Sequence, residues 1–150
     1  MQPDEYIRQD EMSGYYCCEV IVLLNALVYH DVPGVRSCRG APWQELVNLA
    51  NCRQSPYEVK VETVANHLGL DLIPVPSDLE SIAGNLPVRI PVTNGYGYDH
   101  ACLVIDVEGD ILTMANYEGI KSTEAVNTRP WSTIQKLLEE STCQSIQLIS

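Results

Sequence analysis

The sequence predicts an α+β fold in which N-terminal helices pack on a C-terminal antiparallel sheet. Apolar residues recur at helical spacing in the first half of the chain, and the second half contains short alternating or apolar runs separated by turns. Helical and strand patterns are therefore segregated along the chain, which is typical of α+β proteins. With 150 residues, 45% of them hydrophobic, the chain is expected to form one domain over residues 1–150.

The N-terminal half contains an irregular lead segment, residues 1–16, and three predicted helices. Residues 18–29 form a long apolar run that stops at a Val-Pro-Gly turn signal. This favours a buried helix over a strand, despite the β-branched residues in it. Residues 43–51 and 55–68 carry apolar side chains on one helix face, and Gly69 is expected to end the second of these helices.

The C-terminal half is expected to supply most of the sheet. Strands are predicted at residues 86–92, 100–107 and 111–115, with shorter ones at 70–75 and 145–149. Glu108-Gly109-Asp110 is predicted to be a hairpin turn. A short helix with Ser77 as its N-cap is predicted at residues 77–83, and a longer one follows Pro130-Trp131 to about Glu140.

The charge balance makes some partners improbable on physical grounds. With 20 acidic and 9 basic residues, the formal net charge is -11. Such a chain is repelled by nucleic acid and by anionic membranes, so neither is expected as a partner. The first five residues are acidic where a signal peptide is basic, and the run Val20 to Leu24 is too short to span a bilayer. We therefore expect a cytoplasmic protein.

The six cysteines, at positions 17, 18, 38, 52, 102 and 143, do not form a metal-binding pattern. There is no Cys-x-x-Cys pair, so a zinc ribbon is not expected. Without a signal peptide, the even number of cysteines does not indicate disulfides either. The sequence thus predicts neither a metal nor another cofactor, and the cysteines are of interest as thiols.

A candidate catalytic group combines one of these thiols with a histidine. Cys17 and Cys18 lie at the start of the helix predicted at residues 18–29, where the helix dipole can stabilise a thiolate. His100 begins a predicted strand, and a base beside the thiol would take its proton. Asn116 follows the next strand, and the hairpin between the strands should bring it near His100 to orient the imidazole.

The arrangement resembles the papain-like cysteine peptidases, in particular their bacteriocin-processing, double-glycine-peptidase-like branch. The resemblance covers most of the chain, and includes Gln9 before the cysteines and the helix ending Asn25-Ala26-Leu27. It continues through the strand at 86–92, the segment His100-Ala101-Cys102-Leu103-Val104 and the late helix at Trp131. It implies a papain-like fold without a cofactor.

By position, the resemblance assigns the nucleophile to Cys18 or Cys17, the general base to His100, the orienting role to Asn116 and the oxyanion donor to Gln9. Asn25 lies seven residues after Cys18 (25 − 18 = 7), the spacing of this branch, which favours Cys18 over Cys17. The chain departs from the family in two ways. Glu19 stands where a glycine usually follows the nucleophile, and Gln9 is further from the cysteine than usual.

The function expected from this resemblance is a cysteine hydrolase that acts as a peptidase on peptide or protein substrates. One alternative is a thiol acyltransferase of the phytochelatin-synthase-like or transglutaminase-like kind, which uses the same triad. The other is a non-catalytic papain-like binding module. The remaining histidines fit the base role less well, because His30 lies about three turns along the same helix and His67 lies on another helix face. The sequence does not predict the oligomeric state.

Overall fold

The computed structural model describes residues 5–8, 18–35, 45–46, 48, 61–93, 99–117, 124–140 and 146–150. Within these ranges the helices are α1 (Cys18–Tyr29), α2 (Val61–His67), α3 (Leu79–Ala83) and α4 (Trp131–Glu140). The strands are β1 (Leu72–Val75), β2 (Val88–Thr93), β3 (Asp99–Glu108), β4 (Ile111–Ala115), β5 (Val126–Pro130) and β6 (Ile146–Ile149). The α+β class predicted from the sequence is confirmed.

The strands form one antiparallel sheet in the order β1-β6-β2-β3-β4-β5. The long strand β3 pairs with β2 on one side and with β4 on the other. Glu108 pairs with Ile111, and Gly109 takes a φ of 63° in the turn between them, so the predicted hairpin is confirmed. At the open end of the hairpin, β3 carries His100, and Asn116 directly follows β4.

Helix α1 is the buried helix that the sequence predicts. Seven consecutive residues, from Val20 to Ala26, are buried, which explains why the apolar run has no polar face. The helix contacts β3 and α2, and its core partners on the sheet include Ala101, Leu103 and Ala115. The packing of the predicted nucleophile helix on the sheet is therefore confirmed.

The opposite face of the sheet is also covered, by α3 and α4. Ile82 of α3 and Ile134 of α4 belong to a second core cluster with the even-numbered β3 residues Cys102 and Val104. Because β3 has a helix layer on each face, both sets of alternating side chains are apolar and buried. The sheet is thus the central layer of the fold, with helices packed on both of its faces.

Two details differ from the sequence predictions. Residues 126–130 form strand β5, which was not predicted, and it pairs with β4 at the edge of the sheet. The N-cap of α3 is Asp78 and not Ser77, because the Asp78 carboxylate accepts a hydrogen bond of 2.7 Å from the Ser81 amide. A capping aspartate satisfies an amide that the first helical turn leaves without a partner.

The predicted helix at 43–51 is described only at Glu45, Leu46 and Asn48, which are helical. Of the helix predicted at residues 55–68, the structure describes the part that forms α2. Gly69, shortly after this helix, takes a φ of 73°. The predicted strands at 70–75, 86–92 and 145–149 correspond to β1, β2 and β6. Among the helices that the structure describes, none is long and apolar enough to cross a membrane.

Candidate active site

The Cys18 thiol lies where the first turn of α1 meets the start of β3. Cys18 is the first residue of α1 and packs partly buried against the core beneath the helix. The backbone amides of Ala101, the residue after His100, and of Glu19 lie near enough to the sulphur to lower the pKa of the thiol. The fold therefore brings together two chain positions that are 83 residues apart (101 − 18 = 83).

His100 is held at this end of β3 by a contact with the turn after β4. Its Nε2 atom lies 2.6 Å from the backbone carbonyl oxygen of Asn116, and both residues are buried. Since a carbonyl oxygen only accepts, this contact places a proton on Nε2 and leaves Nδ1 as the acceptor nitrogen. A neutral imidazole in this tautomer has the form that a general base requires.

The predicted contact between His100 and the Asn116 side chain is replaced by one with the Asn116 main chain. Asn116 takes a φ of 59°, a left-handed conformation that asparagine tolerates better than most residues. Its own N–H donates to Ala125 at 2.9 Å. The backbone turn at Asn116 therefore aims its carbonyl at the imidazole, and the orienting group belongs to the main chain.

Burial keeps both reactive groups neutral in this arrangement. Removal from water and the nearby Glu19 carboxylate raise the pKa of the Cys18 thiol to about 12. The backbone amides of Ala101 and Glu19 and the charge of Arg89 lower the pKa of the thiol, but their effects are weaker. Burial likewise lowers the pKa of His100, while the Asn116 contact and Glu19 raise it.

The sequence predicts a thiolate at this helix terminus. Desolvation of the sulphur and the neighbouring Glu19 carboxylate oppose it by raising the pKa of the thiol, so the thiolate stays a prediction. The arrangement therefore suits a thiol that is deprotonated by a neutral imidazole during the reaction, as opposed to a thiolate–imidazolium pair formed in advance.

Not every predicted site residue falls within the described part of the chain. Gln9 and Cys17 lie outside the described residues, so their roles stay predictions. The close approach of the Cys18 sulphur to the His100 imidazole also stays a prediction. Among the rival histidines, His30 places Nε2 at 2.9 Å from the Ile149 carbonyl, and His67 is exposed on α2.

The sequence reasoning missed two residues that shape this site. The side chain of the buried Asn25 binds the backbone of Ile7 in the lead segment. Its Oδ1 accepts a hydrogen bond from the Ile7 N–H at 2.8 Å, and its Nδ2 donates one to the Ile7 carbonyl oxygen at 3.1 Å. Arg89, on β2, forms an ion pair with Glu19. An arginine within the apolar run Val88-Arg89-Ile90 was a signal that could have identified it, since a buried charge requires a partner.

The described cavities and titratable groups offer no competing centre. A cavity of about 420 Å³ lies at the other end of α1, against Val28, Asp31 and Val35, one helix length of about 17 Å from Cys18. Within the described ranges, no group of three or more His, Cys, Asp or Glu side chains could hold a metal ion.

No protein-family model matches the chain, and no curated protein matches it significantly.

Proposed function

We propose that this protein is a papain-like cysteine peptidase in which Cys18 is the nucleophile and His100 the general base. The observation that carries the proposal is that the Cys18 sulphur lies near the amide of Ala101, which directly follows in the chain a histidine whose Nε2 is held by Asn116. We propose that the imidazole reaches the sulphur, which supplies the minimal apparatus for acyl transfer through a thioester.

In the proposed reaction, the Cys18 sulphur attacks the carbonyl carbon of a peptide bond while its proton passes to Nδ1 of His100. The oxyanion that forms accepts hydrogen bonds from the backbone N–H of Cys18 and, as the resemblance implies, from the Gln9 amide. His100 then protonates the departing amine, leaving a thioester on Cys18. Water, deprotonated by the same imidazole, releases the carboxylic acid and restores the thiol.

The neutral ground state of both groups fits this sequence of proton transfers. Because burial disfavours both the thiolate and the imidazolium, the proton moves only when a substrate carbonyl is in place. The fixed Nε2 contact with Asn116 then stabilises the imidazolium that forms, since the carbonyl dipole faces the new positive charge. The free thiols of Cys18 and Cys102 suit a reducing compartment, and we propose a cytoplasmic location.

A non-catalytic binding module is the second candidate, and the observation that favours it is the same buried thiol. A cysteine with a pKa of about 12 beside a carboxylate has the character of a core residue. Under that interpretation, the Glu19–Arg89 ion pair would fasten the helix without serving a reaction.

A mixed library of peptides, incubated with the protein and analysed for new termini by mass spectrometry, separates the two candidates without knowledge of specificity. We expect cleavage by the wild-type protein, none by Cys18→Ala, and a loss of about a hundredfold or more in His100→Ala. His67→Ala, which changes an exposed histidine, is the control and should keep full activity. Cleavage that survives Cys18→Ala, or none by the wild-type protein, would reject the peptidase.

A further inference from the structure

The residue after the candidate nucleophile is engaged in a forked ion pair with the sheet. Arg89 Nε donates to Glu19 Oε2 at 2.7 Å, and Arg89 Nη2 pairs with Glu19 Oε1. The guanidinium also contacts β6, where Arg89 Nη1 donates to Gln147 Oε1 at 3.0 Å. Two parallel bonds between a planar guanidinium and a carboxylate fix orientation as well as distance.

This ion pair is largely shielded from water. The exposed fractions of the two side chains are 10% for Arg89 and 13% for Glu19. A solvent-exposed ion pair contributes little to stability, whereas separating the partners of a desolvated pair is strongly unfavourable. The first turn of α1, which carries Cys18, is therefore tied through Glu19 to β2, and through Arg89 to β6.

The charges of the pair act on the thiol in opposite directions. The charged groups that act on the Cys18 sulphur are Glu19 on α1 and Arg89 on β2. Two further titratable groups lie on β3: Cys102, which is influenced by Cys18, Glu19 and Arg89, and His100, which is influenced by Glu19. Glu19 disfavours a negative sulphur and Arg89 favours it. Gln147, the neighbour on β6, carries no charge. With both partners present, the two effects partly cancel.

We propose that Glu19 and Arg89 are positioning residues for the Cys18 thiol, a role that rests on the proposed cysteine chemistry. The pair holds the helix start against the Ala101 amide and balances the charge beside the sulphur. This role explains why a glutamate, Glu19, occupies the position where the resembling family usually has glycine. Its carboxylate is the anchor for the helix, and Arg89 compensates the electrostatic cost.

The test is the pH dependence of Cys18 alkylation by iodoacetamide in the full chain, with the modified peptide quantified by mass spectrometry in a Cys17→Ala background. Glu19→Gln leaves Arg89 as the dominant charge, so the reactivity profile should move to lower pH by about one unit. Arg89→Gln leaves Glu19 uncompensated, so the profile should move to higher pH. The double variant Glu19→Gln/Arg89→Gln should lie between them.

Opposite shifts support the proposal, because a merely structural pair would give the same change in both single variants. Equal slowing or equal acceleration by the two substitutions, or an unchanged profile in Glu19→Gln, would overturn it. If Arg89→Gln does not fold by circular dichroism, the sign of the Glu19→Gln shift decides alone. Alkylation needs no substrate, so opposite shifts without any peptide cleavage would retain the positioning pair and reject only the peptidase.

Discussion

The imidazole of His100 is oriented by a main-chain oxygen, and this determines what substitutions at Asn116 should do. The hairpin predicted from Glu108-Gly109-Asp110 does bring residue 116 to residue 100, and the contact is real. The atom that makes it was not predictable, because it depends on a φ of 59° at Asn116. Sequence patterns report which residues lie on neighbouring strands, and they do not report how a backbone turns after a strand.

We expect Asn116→Ala to reduce turnover far less than His100→Ala, since the orienting carbonyl remains. Alanine in the left-handed region costs roughly 1–2 kcal/mol. Asn116→Ala should therefore lower the free energy of unfolding by about that amount and have a smaller effect on the activation free energy that kcat reports. The measurement is hydrolysis of p-nitrophenyl acetate together with thermal unfolding. Asn116→Gly, which accepts the same φ, is the matched variant. Losses equal to that of His100→Ala in both variants would show that the asparagine amide is the orienting group.

At the scale of elements, the buried helix and the central strands were predictable from the sequence, and the edge strand β5 was not. Helix α1 and strands β3 and β4 are buried, so their apolar patterns were unambiguous. Strand β5 is an edge strand with intermediate burial and the polar sequence Val-Asn-Thr-Arg-Pro. Edge strands need no apolar face and tolerate proline, so nothing in its composition distinguished it from a loop.

The turn between β3 and β4 offers an element-scale prediction. Gly109 takes a φ of 63°, where a side chain is strained, although no atom lies within 4 Å of the position a Cβ would occupy. Gly109→Ala should therefore lower the free energy of unfolding by about 1–2 kcal/mol. Gly84→Ala is the control, because Gly84 has a φ of -84° and would place its Cβ at an ordinary 3.5 Å from Glu80 O. Equal costs in chemical denaturation would contradict the backbone explanation.

At the scale of the whole molecule, helix layers on both faces of one sheet take the site residues largely out of water, which favours the neutral forms of Cys18 and His100. The general class and the principal helix were predictable from the order of apolar patterns. The protonation of Cys18 was not, because desolvation depends on what surrounds the helix terminus in three dimensions. The Glu19–Arg89 pair joins segments 70 residues apart (89 − 19 = 70), a distance over which no local pattern specifies a partner.

The buried neutral His100 predicts how global stability depends on pH. Its pKa is lowered in the fold from 6.5 by burial, so the unfolded chain takes up a proton at a pH where the folded protein does not. Stability due to this group is present above pH 6.5 and falls as the pH decreases towards the folded pKa, by up to about 1.4 kcal/mol per pH unit. His100→Gln should remove this slope in urea unfolding series, and identical slopes would contradict it.

The central claim, a Cys18 thiol activated by His100, is tested most directly by acetylation with p-nitrophenyl acetate. The measurement is the rate at which acetyl-Cys18 forms at neutral pH, followed by mass spectrometry of the peptide that carries it. We expect a thioester at Cys18 in the wild-type protein, formed about a hundredfold or more slowly in His100→Ala and at an unchanged rate in His67→Ala. Acetylation of Cys18 at the same rate with and without His100, or none at Cys18, would contradict the account.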